Sequence, residues 1–301
     1  MTDRKNTTVI FGPMRLPFLV LTPACVVLGT ATAISSGSEF SFSYFLLALI
    51  GAVSAHIGVN AINEYDDFKS GLDFTTEPTP FSGGSGTLPK NPEKAHSAFI
   101  TGLISIVITS LVGLYFLYVR GPLIFPLGIV GLIVVITYTR WLTKNPILCL
   151  IAPGLGFGIL MVMGTDFILS GSYSLKSFIA SLVPFFLVSD LLLLNQFPDV
   201  EADGGIGRRH LPIVIGRRSS ARIYTLFLAG AYVSIILGYL LGVFPLGGLL
   251  ALASIFLAVP TVRGVMRYAD DILRLIPYMG RNVLINIMTP VLLAIGFFIG
   301  C

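Results

Sequence analysis

Nine continuous apolar stretches dominate this chain: about Pro17–Ile34, Phe45–Ile62, Ala98–Val119, Pro122–Tyr138, Ile147–Ile168, Phe178–Leu194, Ile223–Val243, Pro245–Val262 and Val283–Gly300. A helix needs roughly 20 mostly apolar residues to cross a bilayer core. Strands of a membrane barrel would alternate in polarity instead, which argues against a barrel. Breakers mark the narrowest divisions, Arg120-Gly121-Pro122 between the third and fourth runs and Gly242–Pro245 between the seventh and eighth. Charged residues make up 11% of the 301, and mean hydropathy is +0.89. An ordinary soluble domain carries about 25% charged residues, so a soluble enzyme and a disordered chain are both poor fits. Cys25, Cys149 and Cys301 stand in apolar surroundings and give no disulfide framework. The expected fold class is all-α: a polytopic bundle of nine transmembrane helices, with a central cavity open to the cytosolic side.

The basic residues orient this bundle. With the N-terminus inside, seventeen of the nineteen Lys and Arg fall on the inner side, Arg4, Lys5 and Arg15 among them. Arg120 and Lys176 fall outside. Such a bias reports cytosolic loops, so the N-terminus is expected in the cytosol and the C-terminus outside, in the plasma membrane. The net charge of +4 belongs to this bias and not to nucleic-acid binding. The first run follows basic residues as a leader would, but eight further runs follow it, so it is read as a span. Ten of the fifteen acidic residues lie in or beside two inner segments, at about 64–97 and 195–222. The chain is expected to form one domain, 1–301, with its chemistry at these two loops.

Each loop carries an ordered constellation. The first is His56-x3-Asn60-x2-Asn63-x3-Asp67, continuing to Asp73; its spacing of 4, 3 and 4 puts four side chains on one helical stripe. The second is Asn195-x3-Asp199-x3-Asp203, followed by Gly204, Gly205, Gly207, Arg208, Arg209 and His210. Solvated charges capping helices would explain one such cluster. Two matching clusters on one side point to more. Carboxylate and amide oxygens suit Mg²⁺, which is commonly held by a few carboxylates together with substrate phosphates. Nearby Arg and Lys would take up the remaining phosphate charge. The ligand read from these residues is a diphosphate bound through metal at the membrane surface, with a lipid tail in the bundle below.

At these residues the sequence resembles the UbiA superfamily of membrane prenyltransferases. The first family motif, Asn-Asp-x-x-Asp with a later Asp, reads here Asn63-Glu64-Tyr65-Asp66-Asp67 with Asp73, and the second, Asp-x-x-x-Asp, reads Asp199 to Asp203. The segment Tyr138-Thr139-Arg140 with Lys144-Asn145-Pro146 is similar to the family's tyrosine-plus-lysine signature. The ten-residue step from Asn63 to Asp73 looks most like the branch acting on 1,4-dihydroxy-2-naphthoate in menaquinone biosynthesis. Glu64 and the sequence Asn195-Gln196-Phe197-Pro198 depart from that branch.

The resemblance implies Mg²⁺-dependent transfer of a polyprenyl group from an allylic diphosphate to an aromatic acceptor. Asp67, Asp73, Asp199 and Asp203 are then the expected metal ligands, with Asn63 and Asn195 beside them. Lys144, Arg208, Arg209 and Tyr138 are expected on the diphosphate, with Lys69 a further candidate. His56, Asn60, Tyr65, Asp190 and Phe197 are candidates for the acceptor or the cavity, and Phe68 for facing an allylic cation. Asp166 is read as interfacial. The expected partners are a polyprenyl diphosphate, an aromatic acceptor and membrane lipid, with no nucleic acid. Hydroxybenzoate, a phenazine, a glyceryl phosphate lipid and a tetrapyrrole stay open as other acceptors. A cation or lipid transporter is the alternative of another class.

Overall fold

A computed structural model describes residues 12–300; Arg4, Lys5 and Cys301 lie outside the described residues. Apolar runs in lipid must satisfy their backbone groups internally, so each becomes helix. The bundle comprises α1 (Leu21–Ile34), α2 (Phe42–Ser70), α3 (Pro92–Arg120), α4 (Pro122–Thr137), α5 (Pro146–Ser170), α6 (Leu175–Asn195), α7 (Arg217–Leu240), α8 (Leu246–Tyr268) and α9 (Ile272–Ile299). All nine expected runs overlap one of these helices. Seven of them, α2, α3 and α5–α9, are long and apolar enough to cross a membrane. An eighth span results if α1 is joined to Gly12–Phe18, which meets it at a 52° bend; α4 is a shorter apolar helix. The chain is therefore a multi-pass integral membrane protein.

Local chemistry sets the helix ends. Asn145 opens α5 by accepting the backbone N–H groups of Ile147 and Leu148, both at 3.0 Å. Ser174 opens α6 by accepting the Ser177 N–H at 3.0 Å. The main core joins α1, α6, α7, α8 and α9 and contains Leu28, Leu187, Phe197, Tyr224, Leu228 and Phe297. On its other side α6 meets α5 very closely. A Cβ on Gly154 would stand 2.1 Å from the Phe185 carbonyl oxygen, and one on Gly158 2.5 Å from that of Ser181. Small residues allow such backbone approach between membrane helices. Between these two glycines α5 changes to a π-helix over Leu155–Met163, a local rewinding common at functional sites.

Candidate active site

The two acidic segments meet where α2 and α6 end. Gly71, in the left-handed region at φ 82°, stops α2, and its N–H bonds the Phe68 carbonyl at 3.2 Å. A glycine takes that φ without steric cost. The chain then turns back with Asp73 in a short 3-10 turn. Beyond α6, Asp199 precedes a short helix, Val200–Gly205, which carries Asp203. Asn63, Asp67, Asp73, Tyr138, Asn195, Asp199, Asp203 and Arg208 all line one polar cavity of about 110 Å³.

Arg208 ties the two segments together. Its Nη1 donates to Asp203 Oδ1 at 2.8 Å, and its Nη2 donates to Asp67 Oδ1. His210 Nε2 lies 2.9 Å from Asp203 Oδ2. Burial alone would raise the Asp203 carboxyl, but the His210 hydrogen bond and the Arg208 charge outweigh it and hold the group below the usual carboxylate range. Asp73 and Asp199 have no such partner. Burial pushes each up to about 7, helped by the charges of Glu64 and Asp67 on Asp73 and of Asp203 on Asp199.

The glycine-rich stretch Thr79–Gly86 closes over both segments. The Gly83 N–H donates to Asp199 Oδ2 at 3.2 Å. The Ser85 N–H donates to both Glu64 carboxylate oxygens at 3.2 Å, and the Ser85 hydroxyl donates to Glu64 Oε1. Between them, a Cβ on Gly84 would stand 2.9 Å from Asp73 Oδ1. Arg15 Nη2 lies 3.4 Å from Glu64 Oε2. Arg15 is the one non-glycine residue with positive φ among the described residues, at 50°. Backbone strain of this kind collects at functional sites, and here it brings a cation to the cavity wall.

The donor set fits a hard cation. Asp73 Oδ2, Asn195 Oδ1 and Asp199 Oδ1 are buried oxygens with no hydrogen-bond partner, the ligand type that Mg²⁺ takes. Among the described residues no three His, Cys, Asp or Glu side chains converge on one point; Arg208 lies between Asp67 and Asp203. A cation held by Asp73 and Asp199 would have to displace the protons that burial keeps on them below about pH 7. Mg²⁺ affinity without substrate is therefore expected to rise by about tenfold or more from pH 6 to pH 8. Calorimetric titration at the two pH values checks this, and equal affinities would contradict it.

An apolar cavity of about 580 Å³ adjoins the polar one. Arg15, Asn63, Phe81, Tyr138, Leu192 and Asn195 belong to both walls. His56 and Asn60 line the apolar cavity. The His56 ring has Nδ1 2.9 Å from the Thr22 hydroxyl and packs edge-on against Phe157. Eleven residues of helix separate it from Asp67, a rise of about 16 Å.

Several expected site residues stand elsewhere. Tyr65 and Phe68 pack on Leu88, Ala95 and Ala98 and line neither cavity. Phe197 is fully buried in the main core, because Arg217 Nε holds its carbonyl at 2.8 Å just past the end of α6. Asp190 is fully buried and lines neither cavity, since it is on another face of α6 from Asn195. Lys144 and Arg209 are exposed and also lie outside both walls; the Arg209 N–H is spent on the Thr143 carbonyl at 3.0 Å. Lys69 sits over the Tyr65 ring. Asp166 is buried rather than interfacial and accepts the Thr32 hydroxyl at 2.7 Å. Arg15, Glu64 and the Gly83–Ser85 turn are the contributors that sequence spacing did not single out.

The sequence profile described as the UbiA prenyltransferase family matches residues 20–272. The 1,4-dihydroxy-2-naphthoate octaprenyltransferase of Escherichia coli (strain K12) is 28% identical over 315 aligned positions, covering 99% of this chain and 98% of that protein. A UbiA homolog from Aeropyrum pernix K1, solved in its apo form, superposes with a TM-score of 0.65 at 16% identity, covering 95% of this chain and 98% of that one. A UbiA homolog from Archaeoglobus fulgidus, solved bound to DMAPP and Mg²⁺, superposes with a TM-score of 0.57 at 14% identity, covering 95% and 99%.

Proposed function

The chain belongs to the UbiA prenyltransferase family and is a prenyltransferase, and on that premise we propose that it moves a polyprenyl group from an allylic diphosphate to 1,4-dihydroxy-2-naphthoate in menaquinone biosynthesis, with Mg²⁺. The observation that carries the reading is the joining of a polar cavity, walled by both acidic segments, to an apolar cavity large enough for an isoprenoid chain. The acceptor follows the E. coli relative, whose name specifies it. The same chemistry on hydroxybenzoate, a phenazine, a glyceryl phosphate lipid or a tetrapyrrole is the second reading. The polar cavity is taken to face the cytosol, with all nine helices crossing the plasma membrane and the C-terminus outside.

In this reading Asp67, Asp73, Asp199 and Asp203 would hold Mg²⁺, which when bound would supply positive charge against the diphosphate leaving group. Asn63 and Asn195 supply amide oxygen at the same rim. Arg208 and Arg15 bring cationic donors to the diphosphate oxygens. Tyr138 stands at the junction of the cavities and presents its ring to the allylic carbon as positive charge develops there. The apolar walls keep water from that carbon. Attack by the acceptor ring carbon forms the new bond while the carbon–oxygen bond to diphosphate breaks, and the ring then sheds its proton or carboxyl group.

The test is direct. Purified protein in detergent is incubated with Mg²⁺, geranylgeranyl diphosphate and a panel of acceptors that includes 1,4-dihydroxy-2-naphthoate, with pyrophosphate release and product mass recorded. A prenylated naphthoate that disappears with EDTA is the expected result. Turnover of a different panel member would overturn the acceptor and keep the chemistry. No release with any acceptor at any prenyl length, from folded protein that binds Mg²⁺, would overturn the chemistry itself.

A further inference from the structure

Where α8 ends and α9 begins, arginines and tyrosines form a cluster outside both cavities. It stands at the polar-cavity end of the bundle, because a Cβ on Gly280 would be 3.2 Å from Phe81 Cζ, and Phe81 lines both cavities. Tyr268 on α8 and Tyr278 on α9 stack with ring centroids 5.9 Å apart and 22° between their planes. Gly264 makes room for the stack, since a Cβ there would stand 2.1 Å from Tyr278 Cε1.

Three guanidinium groups lie over these two rings. Arg267 and Arg274 stand 5.3 Å and 5.8 Å from the Tyr268 centroid, and Arg281 stands 5.3 Å from that of Tyr278. The carboxylates of the connecting turn are already engaged, Asp270 by Arg218 at 2.6 Å and Asp271 by Arg274 at 3.3 Å. Arg263, Arg267 and Arg281 are exposed and make no ion pair among the described residues. A guanidinium resting on a ring keeps its charge and its planar fork of donors. That fork matches a phosphate group.

The helix faces that lead away from these arginines are apolar and exposed. On α8, Arg267, Arg263, Val259 and Phe256 follow at spacings of 4, 4 and 3, which puts them on one face. On α9, Arg281, Leu284, Met288 and Ile295 follow at 3, 4 and 7, again on one face. All five apolar residues of these stripes are exposed, Phe256 at 87%. From Arg267 to Phe256 the helix rises about 16 Å, close to half of a bilayer core of roughly 30 Å. Exposed apolar residues alone mark any lipid-facing helix. Here two such stripes start from one set of unneutralised cations, held in place on stacked rings.

We propose that this cluster binds the headgroup of an anionic phospholipid, with Arg267 and Arg281 on its phosphate and its acyl chains along the exposed faces of α8 and α9. A headgroup that carries its own cation, such as choline, brings like charge to the unpaired guanidinium groups and is disfavoured. Free phosphate offers the same ionic contacts but must come from bulk water. A lipid beside the two stripes already presents its phosphate at the level of the arginines, which raises its effective concentration there. The site is separate from the diphosphate cavity and does not depend on prenyl transfer.

The experiment titrates the full-length protein in detergent with phosphatidylglycerol or phosphatidylcholine and counts bound lipid by native mass spectrometry. Phosphatidylglycerol is expected to bind at least about tenfold more tightly. Each basic residue near an anionic surface is worth about fivefold in binding. Arg267→Gln combined with Arg281→Gln is therefore expected to weaken phosphatidylglycerol binding by about 25-fold and to leave phosphatidylcholine binding unchanged. Both side chains are exposed and hold no carboxylate, so this variant is expected to unfold at the wild-type temperature. Lys90→Gln combined with Lys94→Gln removes the same charge elsewhere and is expected to keep phosphatidylglycerol binding. Equal affinity for the two lipids, or equal loss in both variants, would overturn the site. Displacement of phosphatidylglycerol by inorganic phosphate at equal concentration would give the patch to a free anion and overturn the lipid. A lipid-free dimer that covers these faces would give them to a second copy of the chain and overturn it likewise.

Discussion

Asp199→Asn is expected to lower prenyl transfer by on the order of 10³-fold, with the protein still folded and inserted. This is the upper range for removing one preorganised group that stabilises a developing anion. The substitution keeps shape and one acceptor oxygen, so the Gly83 N–H that now reaches Asp199 Oδ2 at 3.2 Å retains a partner. It removes the negative charge next to Asp199 Oδ1, a buried oxygen that has no partner within the protein. It also relieves repulsion, since Asp199 is pushed up to about 7 by burial and by the Asp203 charge. A structural role would therefore leave the variant as stable as the wild type and as active. A role in holding Mg²⁺ predicts unchanged thermal unfolding, lost turnover, and weaker Mg²⁺ binding by calorimetry. Asp67→Asn is a less clean probe, because Asp67 also accepts from Arg208. Wild-type turnover in Asp199→Asn at saturating Mg²⁺ would remove Asp199 from the metal site.

The membrane made the fold legible and left the site half legible. A lipid environment forces long apolar runs into helices, so the elements could be read from composition along the chain. Asn63 and Asp67 were readable because a four-residue period puts side chains on one helical face; Asn195, Asp199 and Asp203 share that period, but α6 ends at Asn195 and Asp199 only precedes the short helix that carries Asp203. Contacts between segments carry no such period. Gly83 meets Asp199 from 116 residues away, and nothing in the spacing of Thr79–Gly86 announces it. Arg208 and Arg209 are adjacent and chemically alike, yet the turn at Gly207, with φ 82°, sends one into the polar cavity and leaves the other exposed. The aromatic residues were misplaced for a related reason. Tyr65 and Phe68 sit near Asp67 in sequence, but they point to the face of α2 that meets the start of α3. The run expected at Pro122–Tyr138 matches the α4 helix to within one residue; at that length α4 is a shorter apolar helix than the seven long spans.

Arg208→Ala is expected to lower unfolding stability by about 3 kcal/mol and turnover by on the order of 100-fold. The guanidinium bridges Asp67 and Asp203, whose side chains are 8% and 5% exposed, while its own is 14% exposed. Deleting one member of a buried ionic set leaves the others uncompensated, which typically costs 3–5 kcal/mol. Here two carboxylates would face each other without the cation that joins α2 to the segment after α6. Arg208→Lys is expected to recover part of the stability but little of the turnover, because one ammonium lacks the planar fork that serves two carboxylates at once. A double variant separates the two roles. Adding Asp67→Asn to Arg208→Ala removes one of the stranded charges, so the pair should be more stable than Arg208→Ala alone, a coupling readable by a double-mutant cycle. On the proposed reading turnover should not return, since both a phosphate donor and a metal carboxylate would then be gone. If Arg208→Ala unfolds at the wild-type temperature, the bridge contributes nothing to holding the two segments together. If the double variant regains activity, Arg208 serves only to neutralise Asp67 and has no part in binding diphosphate.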